Sequence, residues 1–405
     1  MGLTYDIPVV LSITRNWVIQ QKCNASKLTV LFTTKMHPFI LILIIATAFN
    51  VISGCSDSVT VRNQGPDNGK PQFSDDWIIP KNEVLDGGPG LDGIPSIDNP
   101  VFGSINSESL RILSDDRLIT GIRVGNVIRG YPHQILDWHE VVNDQVNGEY
   151  FAITYCPLTG TDIALKRNAG MEFGVSGLIF RNNLILYDRH FYSRYSQMQI
   201  RGVNGPMSGT VVEIIPVIQT SWAVWKEMYP DSEMLLPDTG YKFDYSGYLY
   251  GKDYLHGNSA TIFPTNRQDN RMERKNRGLG VIEGVPDERA KVTFFPIQSF
   301  GNEINLINHS FYNVEAVIAG STGKNFAIAF QRVLKDGTIL EFTPVQDSLP
   351  LIMTDQEGNV WDVFGYATGG PRQGERLSSV QAYTGYWFAM ADFFPGLSVW
   401  LGETN

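Results

Sequence analysis

Between residues 101 and 405 the apolar positions fall in short runs separated by polar and turn-forming residues, with no long helical repeat. Tyr150-Phe151-Ala152-Ile153-Thr154-Tyr155 and Leu184-Ile185-Leu186-Tyr187 are β-branched and aromatic, and Gly, Asn and Asp punctuate the sequence around them. That pattern predicts strands. Val224 to Met228 follows Thr220-Ser221, so it predicts a short helix capped by one of those hydroxyls. With 39 Gly, 21 Pro and 12% aromatic residues, the expected fold is mainly β with a few short helices.

The pattern also repeats. Leu184 to Tyr195, Gly202, Gly205-Pro206, Gly209, Trp222 and Pro230 are answered by Leu351 to Trp361, Gly365, Gly370-Pro371, Gly374, Trp387 and Pro395. The interval from Gly209 to Trp222 equals that from Gly374 to Trp387, and Trp222 to Pro230 equals Trp387 to Pro395. Matched intervals between rare residue types predict a tandem duplication of one β-rich unit. The expected copies are 101–240 and 265–405, joined by a linker, 241–264. Between Asp238 and His256 the chain carries five tyrosines, which predicts that this stretch packs across a surface.

Upstream, Phe39 to Phe49 is apolar but too short to span a bilayer comfortably, and it follows Lys35-Met36-His37. Ile52-Ser53-Gly54-Cys55 comes next and resembles a bacterial lipobox, in which small residues enter the signal peptidase and the thiol accepts lipid. Residues 1–54 are therefore expected to be a leader, with 1–35 an upstream start-site artefact and Cys55 the lipid anchor. Ser56, by resemblance to enterobacterial sorting, points to the outer membrane. Residues 55–100 are rich in Gly, Pro and Asp and read as a tether. Asp86, Asp92 and Asp98 recur regularly there but lack the EF-hand ligand pattern, so they read as turn aspartates.

Charge narrows the partners. The net formal charge is −10, and removing the leader, with four Lys/Arg and one Asp, leaves 28 basic and 41 acidic residues, or −13. Such a surface repels phosphate backbones, so no nucleic acid is expected. Arg267, Arg271, Arg274, Lys275 and Arg277 are interleaved with Asp269 and Glu273 and read as a solvated segment. Of the three cysteines, Cys23 leaves with the leader and Cys55 carries lipid, so the mature body keeps only Cys156 and no disulfide.

Residues shared by both copies are explained by turns and packing, whereas His139 and Cys156 occur only in the first. Cys156 ends a predicted strand and precedes the turn-forming Pro157-Leu158-Thr159-Gly160. It suits a nucleophile or a soft-metal ligand, with His139 as base or second ligand. Thiolate and neutral imidazole would take copper or zinc, and Glu140 or Asp144 would orient the ring. The competing account is a buried cysteine and a hydrogen-bonded core histidine. Asp188-Arg189 is a weaker candidate: neighbours on a strand face opposite ways, and Asp188 has a counterpart in Asp355. No Cys-x-x-Cys, His-Glu-x-x-His, Gly-x-Ser-x-Gly or phosphate-binding loop occurs.

The string DGIPSIDNP, Tyr131-Pro132, Trp138 to Asp144, Thr154 to Thr161, Phe173 to Gly177 and Tyr187-Asp188-Arg189 together resemble the bacterial family catalogued as domain of unknown function 3179. The resemblance covers nearly all of residues 85–405. It implies an exported, often lipid-anchored protein and supplies no activity. A tryptophan usually follows the Asp-Arg segment in that family, and here Tyr195 stands instead. The expected function is a lipid-anchored envelope protein that binds a polymer, peptide or partner lipoprotein. A metal or redox protein, or a thiol-dependent enzyme, at Cys156 and His139 is the alternative.

Overall fold

The computed structural model describes residues 73–402, apart from 256 and 312–313. The leader, Cys55 and the start of the tether lie outside the described residues. The fold is β-rich, built from short strands in several sheets with brief helices between them.

In chain order the first half contributes β1 (Leu118–Val124), β2 (Val127–Pro132), helix α1 (His133–His139), β3 (Val141–Val146), β4 (Glu149–Cys156) and β5 (Thr161–Lys166). It continues with β6 (Phe173–Phe180), β7 (Asn183–Asp188), β8 (Val217–Ser221), α2 (Trp222–Met228) and β9 (Glu233–Leu235). The second half contributes β10 (Arg277–Glu283), β11 (Lys291–Pro296), β12 (Asn305–Phe311), β13 (Val314–Ser321) and β14 (Phe326–Gln331). After these come β15 (Leu351–Asp355), β16 (Val360–Asp362), β17 (Ala382–Tyr386), α3 (Trp387–Phe393) and β18 (Ser398–Val399).

One sheet of the first half has the order β8-β1-β2-β9, extended by Phe102–Ser104, and one of the second has β17-β10-β11-β18. In both, the last strand runs parallel to its neighbour, pairing Glu233 with Arg129 and Thr293 with Ser398. Antiparallel meanders β3-β4-β5 and β12-β13-β14 follow in the same relative places. Local contacts match as well: Trp222 N–H donates to the Arg117 carbonyl, and Trp387 N–H to that of Asn276. One element differs: where the first half has α1, the second has only the single turn Ile297–Ser299.

The elements form where the pattern places them. Ser221 accepts from the Val224 N–H at 3.4 Å, capping α2. Trp225 of that helix is fully buried and lies over Gly121, where a β-carbon would come within 2.0 Å of the indole. Only glycine fits beneath the ring. The two largest apolar clusters each draw on both halves. Cys156, Phe173 and Tyr195 share one with Phe294, Trp387 and Phe393; Trp225 and Met234 share the other with Phe330 and Trp361. The 241–264 segment packs across the first half. Gln134 Nε2 donates to the Tyr245 carbonyl at 2.8 Å and Tyr254 donates to the Leu158 carbonyl at 2.7 Å, with Tyr245 and Tyr254 both buried.

Candidate functional site

Helix α1 starts after Pro132 and stops at Glu140, whose backbone is left-handed at φ 58° and whose N–H closes on the Leu136 carbonyl at 2.8 Å. Glycine is the usual residue at such a stop, because any β-carbon there is strained by about 1 kcal/mol or more. Here the position holds a glutamate that is 4% exposed. Asp137, one turn earlier and so on the same face, is 3% exposed, and its Oδ1 is without a partner. Burial pushes the Glu140 carboxyl up to about 8, and the neighbouring Asp137 adds to the rise. Burial takes Asp137 to about 8 too, against the opposing pull of Arg117. Both carboxyls therefore hold their protons at neutral pH.

Three stretches of chain converge on this pair. From the first half, Tyr155 of β4 feels the Asp137 charge, and the His133 ring lies 4.1 Å from that of Tyr155. His133 Nε2 and Asp162 both contact the Thr120 hydroxyl, at 2.9 and 2.6 Å, which leaves His133 Nδ1 and Asp162 Oδ1 buried without partners. From the connecting segment come Tyr248, whose buried hydroxyl has no partner, and Tyr250, which feels both Glu140 and Cys156. The second half supplies Tyr386, Lys275 and Arg277. Tyr386 N–H donates to the Thr159 carbonyl at 2.8 Å, and its ring covers Gly160 so closely that a β-carbon there would lie 2.7 Å away. This contact seats β17 on the turn that follows Cys156.

Lys275 is 5% exposed and its Nζ has no hydrogen-bond acceptor. The ammonium lies 3.2 Å from the Tyr254 ring centre, with Phe388 at 4.8 Å and Tyr386 at 5.0 Å. Burial brings its pKa down to about 7, against the opposing effect of Cys156. The Arg277 guanidinium donates to Gln219 at 2.7 Å and Asn325 at 2.8 Å but leaves Nη2 unused. Burial raises the Tyr386 hydroxyl, with Arg277 opposing and Asp137 adding to the rise.

His139 and Cys156 are not brought into a pair. The His139 Nδ1 lies 2.7 Å from the Pro95 carbonyl, which can only accept, so Nδ1 carries the proton. Nε2 then accepts from the Tyr245 hydroxyl at 2.7 Å, and neither nitrogen is left for a thiol or a metal. Cys156 is fully buried with Sγ 3.6 Å from the Asn182 carbonyl. Burial, and then the Glu140 charge, push its thiol up to about 11. No group of three or more His, Cys, Asp or Glu side chains converges among the described residues. A thiol reagent is expected to leave Cys156 of the native protein unlabelled and to modify it upon unfolding; rapid native labelling would contradict this burial.

The remaining candidates do local work. Asp144 accepts both oxygens' bonds from Arg129 at 2.8 Å and one from Tyr131 at 2.6 Å, so it does not orient His139. Asp188 is fully buried and accepts from the N–H groups of His190, Phe191 and Ser193 and from the Tyr195 hydroxyl at 3.0 Å. Asp355 does the same for Glu357 and Asn359, and for the Trp361 indole at 2.8 Å. Tyr195 thus stands where the second half uses a tryptophan, and both donate to the turn aspartate. Arg189 reaches the tether, contacting Asp98 at 2.8 Å, Ser96 at 2.9 Å and Asp92 at 3.2 Å. Of the residues singled out from sequence, Glu140 and Cys156 lie in the cluster. Lys275, read from sequence as a solvated charge, is buried; Asp137 and Tyr386 were missed, and only Asp137, a carboxylate after Ile135-Leu136, carried a local sign.

Comparison with curated proteins and with solved structures finds no match. A family model described as "Protein of unknown function (DUF3179)" matches residues 91–397. That span holds every element from β1 to α3, and the chain belongs to this family of proteins of unknown function.

Proposed function

We propose that this is a lipid-anchored cell-envelope protein whose body is a binding module, with its ligand seat at Asp137 and Glu140. The observation that carries the seat is the pair of buried carboxyls, Asp137 with an unpartnered oxygen and Glu140 on a left-handed residue. Burying such groups costs several kcal/mol, and a fold retains them where an outside partner offsets the cost. The shared order of elements in 118–235 and 277–399 supports a tandem origin, and the seat belongs to α1, which the second half reduces to a turn. The alternative, thiol or metal chemistry at Cys156, would require His139 to release Pro95 or Tyr245.

Anchoring rests on the apolar run and the lipobox-like tetrad ending in Cys55. Replacing Cys55 with Ala is expected to move the protein from the membrane to the soluble fraction; intact mass of membrane-extracted wild type should show acylation. An unmodified cysteine would end the anchoring proposal. For the seat, a small-molecule screen by thermal unfolding is expected to yield compounds that stabilise wild type but not Asp137→Asn or Glu140→Gln. Stabilisers that act equally on all three proteins would place binding elsewhere.

A further inference from the structure

The turn built on Asp188 carries side chains that its fold does not call for. His190, Phe191 and Tyr192 follow β7 and all three are exposed, Phe191 by 37% and Tyr192 by 38%. The His190 and Phe191 rings meet edge to face at 4.5 Å, and Tyr192 holds a left-handed backbone at φ 54°. The equivalent turn after β15 is capped in the same way by Asp355, yet it presents Gln356, Glu357 and Gly358. One kind of capped turn thus bears a polar tip in the second half and an aromatic tip in the first. Leaving Phe and Tyr in water is unfavourable, and contiguous exposed rings mark a surface that something covers.

The course of the chain says what covers it. Phe73, where the described residues begin, sets its ring 6.5 Å from that of Tyr192 and 5.8 Å from that of Tyr187. The Arg194 guanidinium lies 3.8 Å over Phe73, and Asn204 Nδ2 donates to the Ser74 and Asp76 carbonyls at 2.8 Å. The strand of chain that leads back to Cys55 is therefore fastened to the body beside the aromatic tip. Each residue between Cys55 and Phe73 adds at most about 3.5 Å, so a lipid on Cys55 holds this end of the body nearest the bilayer. Phe and Tyr suit the headgroup level, where the ring is withdrawn from water and a hydroxyl stays wet. With a formal charge of −10, the chain as a whole offers anionic lipid no attraction, so the contact is apolar rather than electrostatic. We propose that His190, Phe191 and Tyr192 form a second membrane contact, inserting into the interfacial layer of the bilayer that holds Cys55. This rests on the lipid-anchor reading of Cys55.

The test places a polarity-sensitive fluorophore on His190→Cys, and in a parallel sample on Glu357→Cys, in the full-length acylated protein reconstituted into phosphatidylcholine vesicles. Cys156 is buried and acylation blocks Cys55, so the label goes to the introduced thiol. The same labels on soluble Cys55→Ala protein in buffer give the baseline. In vesicles the His190→Cys label is expected to shift its emission to the blue, to lose roughly threefold or more of its quenching by iodide, and to be quenched by lipids brominated on the acyl chain. The Glu357→Cys label should not change. Adding Phe191→Ser and Tyr192→Asn should return the His190→Cys label to water, with circular dichroism confirming the fold. If the protein floats with the vesicles and Cys55 is acylated, yet iodide reaches the His190→Cys label as in the baseline, the contact is overturned and the anchor stands. Protection of that label in the Cys55→Ala protein, rising with protein concentration, would show a second copy covering the tip and also overturn the contact. Protein that neither floats nor carries acyl groups would remove anchor and contact together.

Discussion

Glu140→Gln is expected to stabilise the folded protein by roughly 3 kcal/mol at pH 7, and by much less below pH 4. Burial pushes the native carboxyl up to about 8, whereas an ordinary glutamate in water titrates near 4.5. Between those two values the native state keeps a proton that the unfolded chain has released. The contribution of this carboxyl is therefore fully present below about pH 4.5 and is lost progressively as pH rises toward 8. Glutamine keeps the shape and never ionises, so the variant should lack this part of the pH dependence. The coupling to Asp137 makes the figure an upper one, because removing one acid also relaxes the other. Urea denaturation of both proteins from pH 4 to 8 measures it. Midpoints that stay parallel across that range would mean the carboxyl is solvated or paired in solution, and the seat would lose its main support. A gain in stability from changing a native residue is the mark expected of a position kept for function.

Asp188→Ala should move stability the other way, by about 4 kcal/mol or more. Three backbone N–H groups and the Tyr195 hydroxyl converge on this carboxylate in a place with no solvent. Alanine would leave all four donors unpaired, and each orphan costs about 1–3 kcal/mol. Asp355→Ala should behave alike, since it strands the Trp361 indole and the turn N–H groups of the second half. Chemical denaturation reads both. An Asp188 variant as stable as wild type would show that the turn holds without the carboxylate and that Asp188 is free for another role. The opposite signs expected at Glu140 and Asp188 separate a residue kept for a ligand from one kept for the fold, although both are buried acids.

Much of this protein was legible along the chain. The strands at Tyr150 to Tyr155 and Leu184 to Tyr187 lie within Glu149–Cys156 and Asn183–Asp188, and the helix after Ser221 is present with that hydroxyl as its cap. Alternation, turn residues and caps are local, so a sequence window contains the forces that decide them. The packed tyrosine segment was legible for a related reason, since so many aromatic rings in one short stretch are costly to leave in water.

The site was not legible, because partnership and burial belong to no single window. His139 and Cys156 suggested a pair through their absence from the second half, but Pro95 and Tyr245 take the two ring nitrogens and the Asn182 carbonyl faces the sulfur. Lys275 read as one charge in a solvated basic run, yet the tertiary fold turns it inward onto Tyr254 while Arg271 stays outside on Asp269. The sequence by itself determined short β elements, their punctuation, the recurring spacing of glycine and tryptophan, and the family. Only the tertiary structure decided that Asp137 and Glu140 are buried together and that Lys275 lies against Tyr254 and Tyr386. A charge's ionisation depends on the water removed and the neighbours placed around it, and those neighbours come from the far half of the chain.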